Sequence, residues 1–354
     1  MTDDAQKQGS GYVPALDGLR AIAVGGVFLL HLAAAYFPGG AFGVDVFFVL
    51  SAFLITGLLL KEVDATGRVD FPAFYWRRAF RLLPALLVWI VLASTTAVLA
   101  GQAAKVPWSA AGALFYFSDF LQAWTDWVAT AFDQAWSLSV EEQFYFIWPA
   151  LLVLVILRAT PRAQRWFLSL SVVAAAAFAF TDPNYFLPTA HLLPLVIGCW
   201  AAEQRARGCS PWVGTVARLR WVGIPALLVF VVAALILPPT PVDHVVFLVV
   251  AVASTVVVLN VTSGERTVAA RILGSPVPRW LGARSYGIYL YGLTLMQLVP
   301  LLTGLRLTYA APVDVVLTLV VVAVSYRYLE SPVRRWGRRW LSRKSDRRPD
   351  AATA

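Results

Sequence analysis

The sequence predicts an all-α fold, a polytopic bundle of about ten transmembrane helices, from its composition and its hydropathy pattern. Hydrophobic residues make up 59% of the 354 residues and charged residues 14%, whereas a soluble domain has about 45–50% and about 25%. The apolar residues form long blocks that short charged segments separate. A membrane β-barrel would instead alternate apolar and polar residues in segments of about ten, and the blocks do not alternate in this way.

Ten apolar blocks have the length and hydropathy expected of membrane-crossing helices, with boundaries that hold to within a few residues. In chain order they occupy residues 15–37, 43–60, 82–100, 143–158, 166–181, 187–203, 219–237, 243–262, 285–304 and 311–329.

The basic residues agree with this division, because they concentrate in alternate connecting segments. Of the 29 Lys and Arg residues, 26 fall on one side, only Lys105 and Arg306 fall on the other, and Arg20 lies within a span. The positive-inside rule therefore predicts that both termini are cytoplasmic. A net charge of +9 is explained by contact with anionic lipid, so no nucleic-acid partner is expected.

The segment near 103–140 does not follow the pattern of spans. Its stretch GALFYFSDFLQAW is apolar, but counting it as a span would place every later basic segment outside. It is rich in Trp and Phe, which favour membrane interfaces. We therefore predict a re-entrant or interfacial segment on the outer side.

The first span carries two ionisable residues, which are costly inside a membrane and commonly mark a site. Arg20 and His31 are eleven positions apart, so they share one helix face and lie roughly 16 Å apart along the axis. Arg20 is expected near the cytoplasmic rim and His31 in the outer half. The alternatives are an arginine that anchors the helix at the interface and a histidine that packs between helices.

The second span begins with GGAFGVDVFFVLSAFLI, and Asp45 lies near its outer end. The connection from the first span is short, which predicts that Asp45 and His31 have a similar depth. A carboxylate that accepts a proton from one ring nitrogen fixes the tautomer of a histidine and raises the basicity of the other nitrogen. The alternative is that Asp45 only caps its helix.

Two further clusters flank the third and fourth spans. In QAWSLSVEEQFYFIWPALL, Ser137 or Ser139 can cap the helix, with Glu141 and Glu142 in its first turn. Glu141, Tyr145 and Trp148 share a face that can line a cavity.

In FPAFYWRRAFRLLPALL, three arginines precede the third span: Arg77, Arg78 and Arg81. Arg78 and Arg81 share one helix face, so the cluster could hold a phosphate-rich ligand. The alternative is that these arginines reflect membrane topology alone.

These clusters together resemble the bacterial acyltransferase-3 family of integral membrane O-acyltransferases, which modify envelope glycans or macrolides. The resemblance runs over roughly residues 12–336. It rests on six motifs in the family's order, which are Arg20 with His31, GVDVFFVLSAFLI, FYWRRAFRLLP, WSLSVEEQFY, SYGIYLYG and YLESPVRRW.

The resemblance implies a role for each matching residue. His31, Asp45 and Glu141 would be catalytic, with His31 as the general base. Acyl-CoA and the acceptor would be bound by Arg20, Arg77, Arg78, Arg81, Ser137, Glu142, Tyr145, Tyr286 and Tyr289.

Three positions depart from the family pattern. Ala52 follows the serine of the second-span motif, where the family usually has Gly. His191 stands where relatives often carry Arg, so a contact with an anionic group there is in question. Gly292 stands where the late motif often has His, so any role of that histidine is absent or falls to Tyr291.

The resemblance implies transfer of an acyl group, usually acetyl, from acetyl-CoA as co-substrate to a hydroxyl of a glycan or glycosylated metabolite. The partners would be acyl-CoA, the acceptor and the bilayer of the bacterial plasma (inner) membrane, with no metal. Residues 1–336 would form the membrane acyltransferase domain and 337–354 a basic, disordered cytoplasmic tail. The alternative is a proton-coupled transporter that uses the same intramembrane charges.

Overall fold

The structure is a computed structural model that describes residues 12–156, 159–179, 184–208, 210–237 and 244–346. Within these ranges the regular elements are helices, and no strand occurs, which confirms the predicted all-α fold.

The first eight α-helices are α1 Pro14–Leu32, α2 Phe42–Thr66, α3 Phe71–Leu99, α4 Val106–Phe115, α5 Ser118–Trp124, α6 Ala135–Ile156, α7 Pro161–Ala179 and α8 Leu192–Arg207. The others are α9 Pro211–Arg218, α10 Gly223–Ile236, α11 His244–Thr262, α12 Val268–Leu273, α13 Pro276–Gly282, α14 Ser285–Thr303, α15 Leu307–Ser325 and α16 Ser331–Asp346. Short 3-10 turns occur at Ala103–Lys105, Thr130–Phe132 and Pro188–His191, and a π-helical turn at Tyr326–Glu330 joins α15 to α16.

Seven helical stretches among the described residues are long and apolar enough to cross a membrane, so the chain is a multi-pass membrane protein. They are Pro14–Leu32, Phe42–Thr66, Phe71–Leu99, Thr130–Val155, Val245–Thr262, Ser285–Thr303 and Tyr309–Arg343. The predicted number of about ten spans is not confirmed.

The three other predicted spans coincide with α7, α8 and α10. Helix α8 has 16 residues and α10 has 14, which give about 24 Å and about 21 Å, short of a hydrocarbon core of about 30 Å. Helix α7 has 19 residues, but its first turns read PRAQRW, which lowers its hydropathy below that of the seven.

The segment near 103–140 breaks into α4, α5 and two 3-10 turns before α6 begins at Ala135. Tyr116 ends α4 with a φ of 59°, in the left-handed region, and this residue turns the chain into α5. The segment therefore contains no single long helix. Its position in the membrane stays a prediction.

Helix α2 lies at the centre of the bundle, with 72% of its most apolar window buried. It packs closely on α1 and α8 because small residues occupy both contacts. A Cβ on Gly43 would lie 2.2 Å from the Ala23 carbonyl oxygen of α1, and one on Gly198 would lie 2.5 Å from the Val49 carbonyl oxygen of α2. These contacts fix the position of the α2 side chains that face the two cavities described below.

Helix α16 continues past residue 336, the predicted end of the membrane domain. The described chain stays helical to Asp346, and aromatic rings attach α16 to α3. Phe80 lies 5.3 Å from Trp336 and 6.0 Å from Trp340 between ring centroids. These contacts stabilise the helix beyond residue 336, and residues 347–354 lie outside the described part of the chain.

Candidate active site

Two cavities in the bundle contain most of the residues that the sequence singled out. The first, here called the arginine cavity, measures about 340 Å³, and its lining includes Arg20, Ser51, Arg78, Arg81, Ser137, Glu141, Glu142, Tyr145, Tyr286 and Tyr289. The second, here called the His31 cavity, measures about 420 Å³, and its lining includes His31, Lys105, Gln122, Asp126, Asp133, Gln134, Trp136, Tyr185 and Tyr289.

The two cavities meet at Val44 and Tyr289, which line both. The Tyr289 hydroxyl lies 2.5 Å from the Ser137 hydroxyl and donates a hydrogen bond of 3.1 Å to the Gln134 carbonyl. Ser137 lines the arginine cavity and Gln134 the His31 cavity. A single tyrosine side chain, held to α6 at its tip, therefore forms part of the boundary between the cavities.

His31 lies in the last turn of α1 and is exposed to its cavity. Its Nδ1 is 2.8 Å from the Val27 carbonyl oxygen. A carbonyl only accepts hydrogen bonds, so Nδ1 carries the proton in the neutral ring and Nε2 keeps its lone pair. No described residue donates to Nε2. The imidazole is thus set up to accept a proton, and a backbone carbonyl fixes its tautomer.

Asp45 does not orient His31, contrary to the prediction. Its Oδ1 lies 2.9 Å from Nδ1 of His191, while Nε2 of His191 lies 2.8 Å from the Tyr185 carbonyl oxygen. The side chains of Asp45 and His191 are 2% and 1% exposed, and neither lines the His31 cavity or the arginine cavity. Asp45 faces α8 rather than α1 because Gly198 lets α8 approach α2 closely.

Arg20 and His31 line different cavities, so they do not act as a contacting pair. Arg20 forms an ion pair of 3.2 Å with Asp17, one turn earlier in α1. Asp17 also accepts a hydrogen bond from Tyr12. The arginine is thereby held at the edge of the arginine cavity.

Glu141 and Glu142 lie inside α6, not in its first turn, because the helix begins earlier than predicted, at Ala135. Glu141 accepts hydrogen bonds from the hydroxyls of Ser51 and Tyr145. Trp148, predicted on the same face, donates instead to Thr56. Glu141 is therefore fixed in the arginine cavity, away from His31.

Arg78 is neutralised within the protein. Its Nε and Nη2 contact the Glu142 carboxylate at 2.7–3.0 Å, and its guanidinium lies 3.1 Å from the centroid of the Tyr145 ring. Arg81, one turn further on, has no carboxylate within 4.0 Å among the described side chains. Of the two, Arg81 is therefore the arginine without a direct ion pair among the described residues.

Arg77 differs from its neighbours, because it lines neither cavity. It is paired with Glu62 at 3.6 Å on an exposed part of the protein. Its predicted place in a ligand site is not supported. Tyr286 does line the arginine cavity, and its hydroxyl donates to the Leu82 carbonyl at 3.4 Å.

Several cavity residues were missed by sequence reasoning. Ser51 was left out although it lies in the GVDVFFVLSAFLI motif. The polar residues Lys105, Gln122, Asp126 and Asp133 belong to the irregular segment. Hydropathy does not predict which residues of such a segment face a cavity. Among the described residues, no group of three His, Cys, Asp or Glu side chains could hold a metal ion.

Asp119 attaches α5 to α6, and both lie against the His31 cavity. It accepts hydrogen bonds of 3.0 and 3.1 Å from the Gln143 amide. Burial raises the pKa of the Asp119 carboxyl to about 6, although the Gln143 hydrogen bonds act in the opposite direction. This residue lies outside the seven spanning helices.

Comparison with known proteins identifies the family. The model of the acyltransferase domain matches residues 13–328. The chain belongs to the acyltransferase-3 family. The resemblance found from the six motifs is confirmed.

Relatives of this acyltransferase-3 chain occur in Staphylococcus aureus. The protein named "Putative O-acetyltransferase SACOL0978" of strain COL is 30% identical over 353 residues, 92% of this chain and 58% of that protein. The O-acetyltransferase OatA of strain NCTC 8325 is 29% identical over 351 residues, with the same shares. The chain thus spans less than two thirds of the length of these relatives. No solved structure matches it.

The family position that often has histidine is closed in this chain. A Cβ on Gly292 would lie 2.8 Å from the Phe28 ring and 3.2 Å from Thr318. Tyr291 is 1% exposed, and its hydroxyl contacts the Ala85 carbonyl and Ser325, both at 3.2 Å. That the role of this histidine falls to Tyr291 stays a prediction.

Proposed function

We propose that the protein transfers an acetyl group from acetyl-CoA to a hydroxyl of a glycan or glycosylated metabolite, with His31 as the general base. One observation carries this proposal. His31, whose Nε2 keeps its lone pair, lines one cavity. Arg81, which has no direct ion pair among the described residues, lines the other, and Tyr289 lines both.

The His31 cavity suits the acceptor. Trp136, Tyr185 and Phe186 supply aromatic faces, and the carboxylates and amides around them can accept and donate hydrogen bonds to hydroxyl groups. This mixture fits a sugar ring better than an apolar substrate, because a sugar has both hydroxyl groups and apolar C–H faces. The segment before α6 contributes polar side chains to this lining, among them Lys105, Gln122, Asp126 and Asp133.

The arginine cavity suits the donor. Arg20 and Arg78 are paired with carboxylates, whereas Arg81 has none within 4.0 Å among the described side chains, so Arg81 brings the positive charge that a phosphate would meet. Guanidinium groups bind phosphates bidentately. The remaining wall includes Phe47, Leu54 and Leu58, which can cover the uncharged pantetheine arm. The positive-inside rule places these arginines on the cytoplasmic side, where acetyl-CoA is made.

The reaction moves one proton through His31 in two steps. Nε2 takes the proton of the acceptor hydroxyl as its oxygen attacks the thioester carbonyl carbon. The carbon–sulfur bond then breaks, and the proton passes from the imidazolium to the leaving thiolate. Ester and CoA thiol are the products, and the imidazole returns to its neutral form. The thioester reaches His31 by passing Tyr289.

The test compares His31→Gln with His244→Gln, which changes another histidine. Envelope material from cells that make equal amounts of each protein is assayed for O-acetyl esters. We expect loss of at least about a hundredfold for His31→Gln, since general base catalysis contributes about 10²–10⁴-fold, and no loss for His244→Gln. Wild-type acetylation by His31→Gln would refute the proposed base.

A second test addresses the donor and separates an acetyltransferase from a transporter of an unrelated solute. Acetyl-CoA that binds the folded protein raises its thermal midpoint. We expect such a shift for the wild type and for His31→Gln, because His31 lies outside the arginine cavity. Absence of a shift at millimolar acetyl-CoA would contradict the proposed donor.

A further inference from the structure

The Asp45–His191 pair has hydrogen bonds that define its protonation state. Nε2 of His191 faces the Tyr185 carbonyl oxygen at 2.8 Å. A carbonyl oxygen carries no hydrogen, so Nε2 must hold a proton. Nδ1 faces the Asp45 carboxyl at 2.9 Å, and this contact needs a second proton between the two groups. A neutral imidazole beside a carboxylate would hold one proton in total. The pair of Asp45 and His191 therefore holds two.

Burial favours the same protonation state. The side chains are 1% and 2% exposed, and an isolated negative charge in such a place is costly. With the second proton the pair has no net charge. The imidazole is the stronger base of the two groups, so that proton belongs on Nδ1.

We infer that His191 is an imidazolium with a proton on each ring nitrogen and that it positions one wall of the His31 cavity. Asp45 fixes it to α2, and the Tyr185 carbonyl fixes it to the segment before α8. The Trp136 ring of α6 lies 5.1 Å from the imidazolium ring at an angle of 31°, which is within the range of a cation–π contact. Tyr185 and Trp136 both line the cavity.

His191 thus contacts α2, α6 and the segment before α8 on the side of the wall away from the cavity. It takes no part in proton transfer. The titratable groups that face it are Asp45 and Tyr185, and its remaining neighbours are the rings of Phe48, Trp136 and Phe247. None of these competes for the proton on Nδ1. The two histidines therefore differ, because His31 keeps a free lone pair and His191 has none.

The test is the nitrogen NMR spectrum of the full chain in lipid nanodiscs, with labelled histidine. The chain has three histidines, and the spectra of His31→Gln and His244→Gln identify the His191 signals by elimination. At about pH 8, where a free imidazole is neutral, we expect two protonated ring nitrogens for His191. His31 should show one protonated and one unprotonated nitrogen.

An unprotonated nitrogen on His191 at that pH would overturn the inference. Asp45→Asn provides the second measurement, because it removes the counter-charge. We expect loss of one His191 ring proton in this variant, and a ring that stays doubly protonated would contradict the role of Asp45. The spectra need no substrate, so the inference can fail while the proposed acetyl transfer stands, and the reverse also holds.

Discussion

Arg77 and Arg81 lie four residues apart on α3 and have different surroundings. Arg81 lines the arginine cavity without a carboxylate partner, and Arg77 lies outside it, paired with Glu62. We expect Arg81→Gln to weaken acetyl-CoA binding by about tenfold or more, the effect of losing one charged hydrogen bond. Arg77→Gln should leave binding unchanged. Calorimetric titration with acetyl-CoA measures both.

Membrane topology alone would explain both arginines in the same way, since both precede the third span on the same predicted side of the membrane. If both variants weaken binding equally, the charge of the whole membrane face attracts the ligand and the cavity does not select it. If only Arg77→Gln weakens binding, the donor site lies elsewhere.

The sequence located most of the ionisable side chains, but it did not determine their partners. Arg20 and His31 stood out because charged residues are rare in apolar blocks. Asp45 was assigned to His31 because of similar depth, yet depth leaves the rotation of a helix about its axis undetermined. That rotation is set by packing with α8, which no pattern within a single helix reports. His191 was noticed only as a departure from the family.

At the scale of helices, backbone contacts fix α2 between its neighbours. A Cβ on Gly198 would lie 2.5 Å from the Val49 carbonyl oxygen, whereas one on Gly57 would meet nothing within 4 Å. Gly198→Ala should lower stability by about 1–3 kcal/mol through overpacking. Gly57→Ala should be neutral or slightly stabilising. Thermal unfolding in detergent compares the two, and equal midpoints would show that α8 is not in close contact with α2.

The link between α5 and α6 should make stability depend on pH. The pKa of Asp119 is raised to about 6 in the folded protein, above an ordinary value of about 3.9. The unfolded chain therefore loses this proton first as pH rises, and the contribution of Asp119 to stability falls between about pH 4 and pH 6. Asp119→Asn should remove that part of the pH dependence. Identical thermal-midpoint profiles for the variant and the wild type would contradict it.

The positions of helices were predictable where a long stretch of the sequence is uniformly apolar. The spans that became α1, α2, α11 and α14 were located to within a few residues, apart from the turn after Leu32 and the end of α2, which continues to Thr66. The start of α6 was missed because its first two turns carry serines and glutamates that resemble a cap. Helix α16 was missed because its stability comes from rings on α3, a contact distant in sequence.

At the scale of the molecule, the charge distribution predicts that the two cavities open toward opposite sides of the membrane. In a variant without native cysteines, Lys105→Cys should react with a membrane-impermeant maleimide in intact cells. Arg339→Cys should react only after the cells are broken. Labelling of both cysteines in intact cells would contradict the proposed orientation.

Transfer across the bilayer tests the central claim most directly, that donor and acceptor reach His31 from opposite cavities. Proteoliposomes of known orientation would hold radiolabelled acetyl-CoA on the side of the arginine cavity and a glycan acceptor on the other. We predict labelled ester on the glycan with the wild-type protein and none with His31→Gln. Absence of labelled ester with the wild-type protein in this arrangement, or labelled ester at the wild-type rate with His31→Gln, would contradict the claim.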